Sequence, residues 1–400
     1  MPVSPSRLRI LHLCRWYPNR YDPMPGLFIQ RHAEATALYA DVSVVYTHLV
    51  QSQRLNQTYE IDFEEKNGVR AAKVYYQAPW LKIPLWSQAV KIWRFFRANK
   101  LGIKAVSGSN LNFEMVHVHV LTRLGIIALY FKWRYGIPFV ITEHWTRYLN
   151  LTQRFGGFFR KITTRMVVKQ AAVVTAVSDD LKNAMQLHGL KNKDYRVIYN
   201  VVDPIFFDIL LPVKDEPIKE FVHVSCFTDE QKNISGLLRV VHALSKQRSD
   251  FHFTFVGDGD DFMTLKDEAN ILKIKEPLIN FTGLLEGKPL AETMAKADAL
   301  VLFSNYENMP VVINESFVLG IPVFSTDVGG IAEMINVDNG CLVKKGDEKS
   351  LVNTMNDFLD GKLNFDSDKI RKTARSKFSQ EAIGKDLMNI YRMAMEMDRK

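Results

Sequence analysis

Short runs of β-branched and aromatic residues alternate along the whole chain with stretches of helical periodicity, the pattern of parallel strands joined by crossover helices. The class is α/β. In the first half the strands read as residues 8–14, 42–47, 115–118, 139–142, 173–177 and 196–199. A second series then begins, at 221–225, 252–256, 278–281, 299–303 and 323–325. Between the two series, residues 203–220 hold Pro204, Pro212 and Pro217 without periodicity and read as a linker. The expected organisation is therefore a domain over 1–202, a linker over 203–220, a second domain over 221–379, and a terminal helical stretch, 380–400, crossing back to the first domain.

Composition agrees with two cores rather than one: 400 residues are 47% hydrophobic and 24% charged. No apolar run reaches the roughly 18 residues of a spanning helix, and the amino terminus meets Arg7, Arg9 and Arg15 without a signal-peptide stretch, so the expectation is a cytoplasmic protein. Cys14, Cys226 and Cys341 are too far apart in sequence to suggest a zinc knuckle or disulfide framework. Charge adds more once the chain is halved. Residues 1–200 carry 28 Lys and Arg against 12 Asp and Glu, whereas residues 201–400 carry 24 against 32. The basic half expects an anionic partner. Its densest stretch, 80–104, mixes Trp80, Leu85, Trp86, Ile92, Trp93 and Phe96 with Lys82, Lys91, Arg94, Arg97, Lys100 and Lys104. That mixture suits either a helix packed on its own domain or one lying on the inner face of the cell membrane. No motif supports nucleic-acid binding.

Ligands of open α/β sheets bind beyond the carboxyl ends of the strands. The richest such end follows residues 299–303, where the chain reads Ser304-Asn305-Tyr306-Glu307-Asn308-Met309-Pro310-Val311 and continues to Glu315 on an otherwise apolar helix. Unpaired N–H groups at a helix start near Asn308 to Val311 attract a diphosphate, and carboxylates accept from sugar hydroxyls. Two glutamates that merely cap and solvate a helix remain the alternative.

Glu307 and Glu315, the Gly320-Ile321-Pro322-Val323 that follows, and Asp327-Val328-Gly329-Gly330-Ile331-Ala332-Glu333 together resemble the donor-site signature of family 4 glycosyltransferases. Pro25-Gly26-Leu27-Phe28, Val177-Ser178, Asn200-Val201-Val202-Asp203 and Val256-Gly257-Asp258-Gly259 resemble the same family in the same order. The resemblance implies the fold called GT-B: two facing Rossmann-like domains with parallel sheets and an interdomain cleft. Acceptor sits mainly on the first domain and nucleotide sugar mainly on the second. It implies transfer with retained anomeric configuration, no metal and no cofactor beyond a UDP-sugar or GDP-sugar as donor substrate. Glu315 would hold the ribose hydroxyls. Glu307 with the backbone of Asn308, Met309, Pro310 and Val311 would hold the sugar and the diphosphate. Lys232 matches the diphosphate-binding lysine, where a fixed cation stabilises the charge that the leaving group gains. Gly26 would let the first-strand loop approach the diphosphate, and His144, in Thr142-Glu143-His144, would contact the transferred sugar. The implied partners are a nucleotide sugar, a glycan or lipid-linked acceptor of cell-surface polysaccharide assembly, and an anionic membrane surface.

One position departs from the pattern. Where the family has Gly-Arg ahead of the lysine, this chain has Ser225-Cys226-Phe227, and Arg15 or Lys344 would have to supply the missing cation. His117 and His119 share one strand face, which suits packing, a metal pair or, for His119, acceptor contact. Asp258-Gly259-Asp260 reads as a turn and helix cap rather than a manganese site. Two other classes stay open: a hydrolysing sugar-nucleotide epimerase and a catalytically reduced membrane-associated scaffold.

Overall fold

In the computed structural model of the chain, residues 7–51, 55–81, 83–108, 111–121, 123–149, 155–212, 218–274 and 277–398 are described. They divide into two compact units. The first comprises Met1–Val177, Lys182–Ile198 and Gln380–Lys400, and the second Ser178–Leu181 with Tyr199–Ser379.

The first unit is built on eight strands: β1 (Arg9–Cys14), β2 (Asp41–Val50), β3 (Tyr59–Lys66), β4 (Val69–Gln77), β5 (Met115–His119), β6 (Phe139–Glu143), β7 (Val173–Ala176) and β8 (Tyr195–Val197). Their order in the sheet is β3-β4-β2-β1-β5-β6-β7-β8, with every neighbour parallel except the β3/β4 pair. The central strands β5, β6 and β7 are buried along their whole length, which is why they read as continuous apolar runs rather than alternating ones. The β3–β4 hairpin is absent from the sequence reading. Its turn, Asn67-Gly68, has φ of 51° and 76°, the positive pair that a two-residue hairpin requires. β3 alternates through its middle, leaving Ile61 and Phe63 exposed while Glu60 and Asp62 pair with Arg20.

The second unit holds β9 (Lys219–Val224), β10 (Phe251–Val256), β11 (Ile279–Gly283), β12 (Ala299–Leu302), β13 (Val323–Thr326) and β14 (Gly340–Val343), all parallel, in the order β11-β10-β9-β12-β13-β14. Its core is rich in phenylalanine, with Phe221, Phe251, Phe253, Phe255, Phe303 and Phe324 fully buried. The edge strand β14 was also missed by pattern alone, since it is short and opens on glycine. A Cβ on Gly340 would stand 2.0 Å from the Val323 carbonyl oxygen, so only glycine permits this pairing. Within the stretch read as a linker, a short helix, Ile205–Asp208, forms and β9 opens at Lys219; residues 213–217 lie outside the described residues.

The terminal helix Gln380–Asp398 packs on the helix Leu27–Ala37, where a Cβ at Gly384 would approach the Ala35 carbonyl to 2.4 Å. Buried hydroxyls tie it to β5 and fix the direction of a proton chain. Thr175 Oγ1 donates to the Ile141 carbonyl, so it accepts from Thr142 Oγ1 at 2.7 Å. Thr142 in turn accepts from His117 Nε2–H at 2.7 Å, which leaves His117 Nδ1 to accept from Tyr391 Oη at 2.7 Å. Tyr391→Phe strands that buried nitrogen. It is expected to lower the unfolding free energy by about 1–3 kcal/mol in urea titration, and an unchanged midpoint would refute the chain.

Candidate active site

A cluster of sequence-selected residues lies beyond the carboxyl end of β12, in the middle of the second sheet. Glu307 is 5% exposed, and its Oε1 accepts from Lys232 Nζ at 2.6 Å and from Ser304 Oγ at 2.9 Å. The lysine is itself largely enclosed, its side chain 12% exposed. Two opposite charges drawn out of water hold each other here, and among the described residues neither has another ionic partner.

The surrounding chain is shaped to keep that pair in place. The loop 303–306 is stapled to the short helix Asp229–Lys232 by Asn305 N to the Gln231 carbonyl, Asn305 Nδ2 to the Glu230 carbonyl, and Asn233 Nδ2 to the Phe303 carbonyl. Thr326 Oγ1, from β13, donates to the Ser304 carbonyl at 2.7 Å. The Gly329-Gly330 pair explains its own composition. A Cβ on Gly329 would sit 2.0 Å from the Glu307 carbonyl oxygen, and one on Gly330 2.5 Å from that of Asn308. Both glycines are therefore required by the backbone that carries the two site residues.

The other expected donor residues follow directly along the chain. Asn308 is buried, its Oδ1 accepting from Ser178 Oγ at 3.0 Å; Met309 is buried, its carbonyl accepting from Asn200 Nδ2 at 3.5 Å. Pro310 stands at the N-cap of the helix Val311–Val318 with no side chain capping it, so the first N–H groups of that helix are not taken up by a cap. Glu315 is buried on its second turn. Asn314 and Asn200, whose partnership no sequence signal announced, join this helix to the segment after β8 through Asn314 Nδ2 and the Asn200 carbonyl.

The loop with the missing arginine is held from beneath. A Cβ at Gly257 would meet the Ser225 carbonyl at 1.9 Å, and His223, fully buried, donates Nδ1–H to the Val301 carbonyl so that its Nε2 accepts from Ser225 Oγ. Burial holds His223 neutral, its pKa lowered to about 4. Cys226 itself is exposed. Among the described residues the cation in contact with Glu307 is Lys232. Lys344 lies exposed in the turn after β14, and Arg15 belongs to the first unit. Asp258 accepts from its neighbour Gly259 N in a turn. Asp261, which precedes the helix Phe262–Ile271, does not cap it; its carboxylate instead accepts from Asp229 N at the start of the lysine helix.

Gly26, His119 and His144 lie in the first unit. Gly26 has φ +81°, and a Cβ there would be 2.4 Å from the carbonyl carbon of Trp16, so contact with its own chain already demands glycine. His144 follows β6, its loop fastened by the buried Glu143, which accepts from the backbone N–H of His144, Trp145 and Leu121. Burial pushes the Glu143 carboxyl up to about 7 against those three donors. His119 and His144 belong to a larger group with His12, His32 and His117 that no sequence signal announces beyond the shared face of His117 and His119. His12 Nδ1 is 3.0 Å from His119 Nε2, and His119 Nδ1 is 3.5 Å from His144 Nε2. Desolvation lowers His12 to about 3 and holds His117, His119 and His144 well below the usual range, so these four rings are neutral at pH 7. The ligating nitrogens of His12, His117 and His119 lie within 4.8 Å of one another, as do those of His32, His119 and His144. The first triplet could take a metal only by breaking the His117 hydroxyl chain. Just beyond His119, Val120 holds φ +70°, a strained value for a β-branched residue that marks the end of β5.

Comparison with known proteins places this geometry. Residues 32–206 match the family model described as Glycosyltransferase Family 4, and residues 218–361 the one described as Glycosyl transferases group 1. The N-acetyl-alpha-D-glucosaminyl L-malate synthase of Bacillus anthracis is 29% identical over 72% of this chain and 77% of its own length. A putative teichuronic acid biosynthesis glycosyltransferase, TuaC, of Bacillus subtilis is 24% identical over 86% and 87%. Among solved structures, Anabaena HepE in complex with UDP-glucose superposes with a TM-score of 0.67 over 96% of this chain and 99% of that one, at 16% identity.

Removing one partner of the ion pair leaves the other charge buried alone. Lys232→Met is expected to destabilise the protein by about 3–5 kcal/mol in chemical denaturation, and the double variant with Glu307→Gln to regain most of that loss. A double variant no more stable than Lys232→Met would show that the two charges do not depend on each other.

Proposed function

The chain belongs to the group 1 and family 4 glycosyltransferases, with the GT-B fold, and from that premise we propose that it transfers a sugar from a nucleotide diphosphate sugar to a glycan or lipid-linked acceptor in cell-surface polysaccharide assembly. The donor is UDP- or GDP-linked, transfer retains the anomeric configuration, and no metal is needed. The observation that carries this reading is the buried pairing of Lys232 with Glu307 beside the uncapped start of the helix Val311–Val318. A preformed cation facing a carboxylate suits a ligand that brings both a diphosphate and sugar hydroxyls. Lys232 turns to the diphosphate and stabilises its growing negative charge as the glycosidic bond breaks. Glu307, released, accepts from the sugar hydroxyls, the N–H groups from Asn308 to Val311 hold the diphosphate, and Glu315 takes the ribose. HepE, crystallised with UDP-glucose, supports a nucleotide-sugar donor. In the first unit His144 contacts the transferred sugar as a neutral hydrogen-bonding group, and His119 stands on the acceptor side. The departing phosphate oxygen receives the acceptor's proton, so no side-chain base is invoked.

The basic half adds a membrane surface. The long helix Pro84–Ser107 buries residues from Phe95 onward, but its first turns leave Leu85 87% and Trp93 61% exposed next to Lys91, Arg94 and Arg97. Lys82 lies outside the described residues. Trp80, Trp133, Phe158 and Phe159 are exposed on the same unit. Aromatic and basic side chains so mixed suit the headgroup region of an anionic bilayer, where each Lys or Arg gains about 1 kcal/mol. No helix among the described residues is long and apolar enough to cross a membrane.

Thermal unfolding against a panel of UDP- and GDP-sugars, without added metal, tests the donor reading. A selective rise is expected, since a ligand at about 100 times its dissociation constant adds roughly 2.7 kcal/mol, and Glu315→Ala should abolish it. No rise with any donor would sink it. Flotation with liposomes of anionic and of zwitterionic lipid tests the surface: binding should favour the anionic vesicles and fall with Leu85→Ser/Trp93→Ser, and equal recovery from both lipids would rule it out.

A further inference from the structure

The first unit contains a cavity of about 550 Å³ whose lining includes Arg15, Arg123, Arg147 and Arg160. No Asp or Glu is among its described lining residues, and none of the four arginines forms an ion pair with a described residue. Arg147 stacks 3.1 Å from the centre of the Trp145 ring, and its Nε is buried without an acceptor. A guanidinium donor hidden from water and left unmatched is costly unless a ligand completes it. The nearby Glu143 does not do so, because backbone N–H groups occupy both its oxygens. Four forks around one space, with aromatic walls, are built for an anion larger than a single carboxylate.

That cavity has an apolar neighbour. It shares Phe96 and Ile126 with a second space of about 590 Å³, between the helices Pro84–Ser107 and Leu124–Tyr135, lined chiefly by apolar groups such as Ile103, Leu111 and Tyr130. A cationic chamber beside an apolar groove matches an amphiphile: a phosphoryl head and a hydrocarbon tail.

We propose that these adjoining cavities are the acceptor subsite, and that they hold a diphosphate-bearing lipid, its diphosphate among Arg15, Arg123, Arg147 and Arg160 and its hydrocarbon chain along the groove. The assignment rests on the glycosyltransferase reading for the word acceptor, but the binding itself requires no turnover. It also fits the exposed aromatic and basic side chains of the same helix, from which a lipid carrier would enter.

The test is calorimetric binding of farnesyl diphosphate, inorganic diphosphate and farnesol to the full chain, below the concentrations at which farnesyl diphosphate forms micelles. Farnesyl diphosphate should bind at least about 10-fold more tightly than inorganic diphosphate, because the groove takes its tail from water. Arg123→Gln/Arg147→Gln should weaken both anions by about 10-fold or more and leave farnesol unaffected. Ile126→Glu, at the junction, should weaken farnesyl diphosphate alone. Equal affinity for the two diphosphates, or affinity indifferent to the arginines, overturns the proposal. So does loss of binding in the Lys232→Met/Glu307→Gln double variant with its thermal unfolding transition intact, which would put the anion in the second unit. Failure of every nucleotide sugar to stabilise the protein would sink the donor reading instead, and would leave these affinities as they are.

Discussion

A carboxylate and an ammonium group withdrawn from water cannot be left single, and the second unit is organised around that constraint at Glu307 and Lys232. The pair gains its Coulomb energy only if both side chains stay where they are. Loop and side-chain hydrogen bonds brace that end: Asn305 and Asn233 fix the lysine helix to the loop, Thr326 fixes the loop to β13, and Ser304 gives the carboxylate a second donor. Even the glycines at 329 and 330 are explained by the carbonyls of Glu307 and Asn308, which leave no room for a side chain. In the proposed reading this same cation and carboxylate meet the phosphate and the hydroxyls of a nucleotide sugar. The ion pair thereby links the fold's energetics to its chemistry.

Much of this was legible because the relevant signals are local. Eleven strand readings fall on strands of the sheets, since buried parallel strands are written as unbroken apolar runs. The run from Ser304 to Glu315 stood out because two carboxylates interrupt an apolar context. What escaped was either one-sided or non-local. β3 is solvated on one face and β14 opens on glycine, so neither has the expected density of apolar residues. Asn314 with Asn200, and His223 with Ser225, meet only after the chain has folded. The same holds for the histidines. His117 and His119 could be placed on one face from spacing alone, whereas the register of β1 beside β5, which sets His12 against His117, is not written in either strand.

Those histidines handle polarity in a second way. The ion pair keeps charge in the interior by matching it, while the first unit removes charge: burial drives the imidazoles to their neutral forms, and each ring becomes one donor and one acceptor. The hydroxyls of Thr175, Thr142 and Tyr391 then set the tautomer of His117, fixing β5, β6 and β7 to the terminal helix by polar as well as apolar contact. A neutral, oriented His144 at the edge of that group is suited to recognise hydroxyls and poorly suited to hold a proton.

The uneven charge of the chain acquires meaning from where its cations are paired. Arg20 answers Glu60 and Asp62, Arg239 answers Glu268 and Glu348, and Arg248 answers Asp250 and Asp360, so these arginines are largely neutralised by neighbours. Such exposed pairs contribute little to stability and create little field beyond themselves. The arginines around Trp145 have no such answer among the described residues, and one of them buries an unused donor. A net charge spread over a surface would be a matter of solubility; four guanidiniums around one space without a carboxylate among its lining residues are a statement about what can enter it.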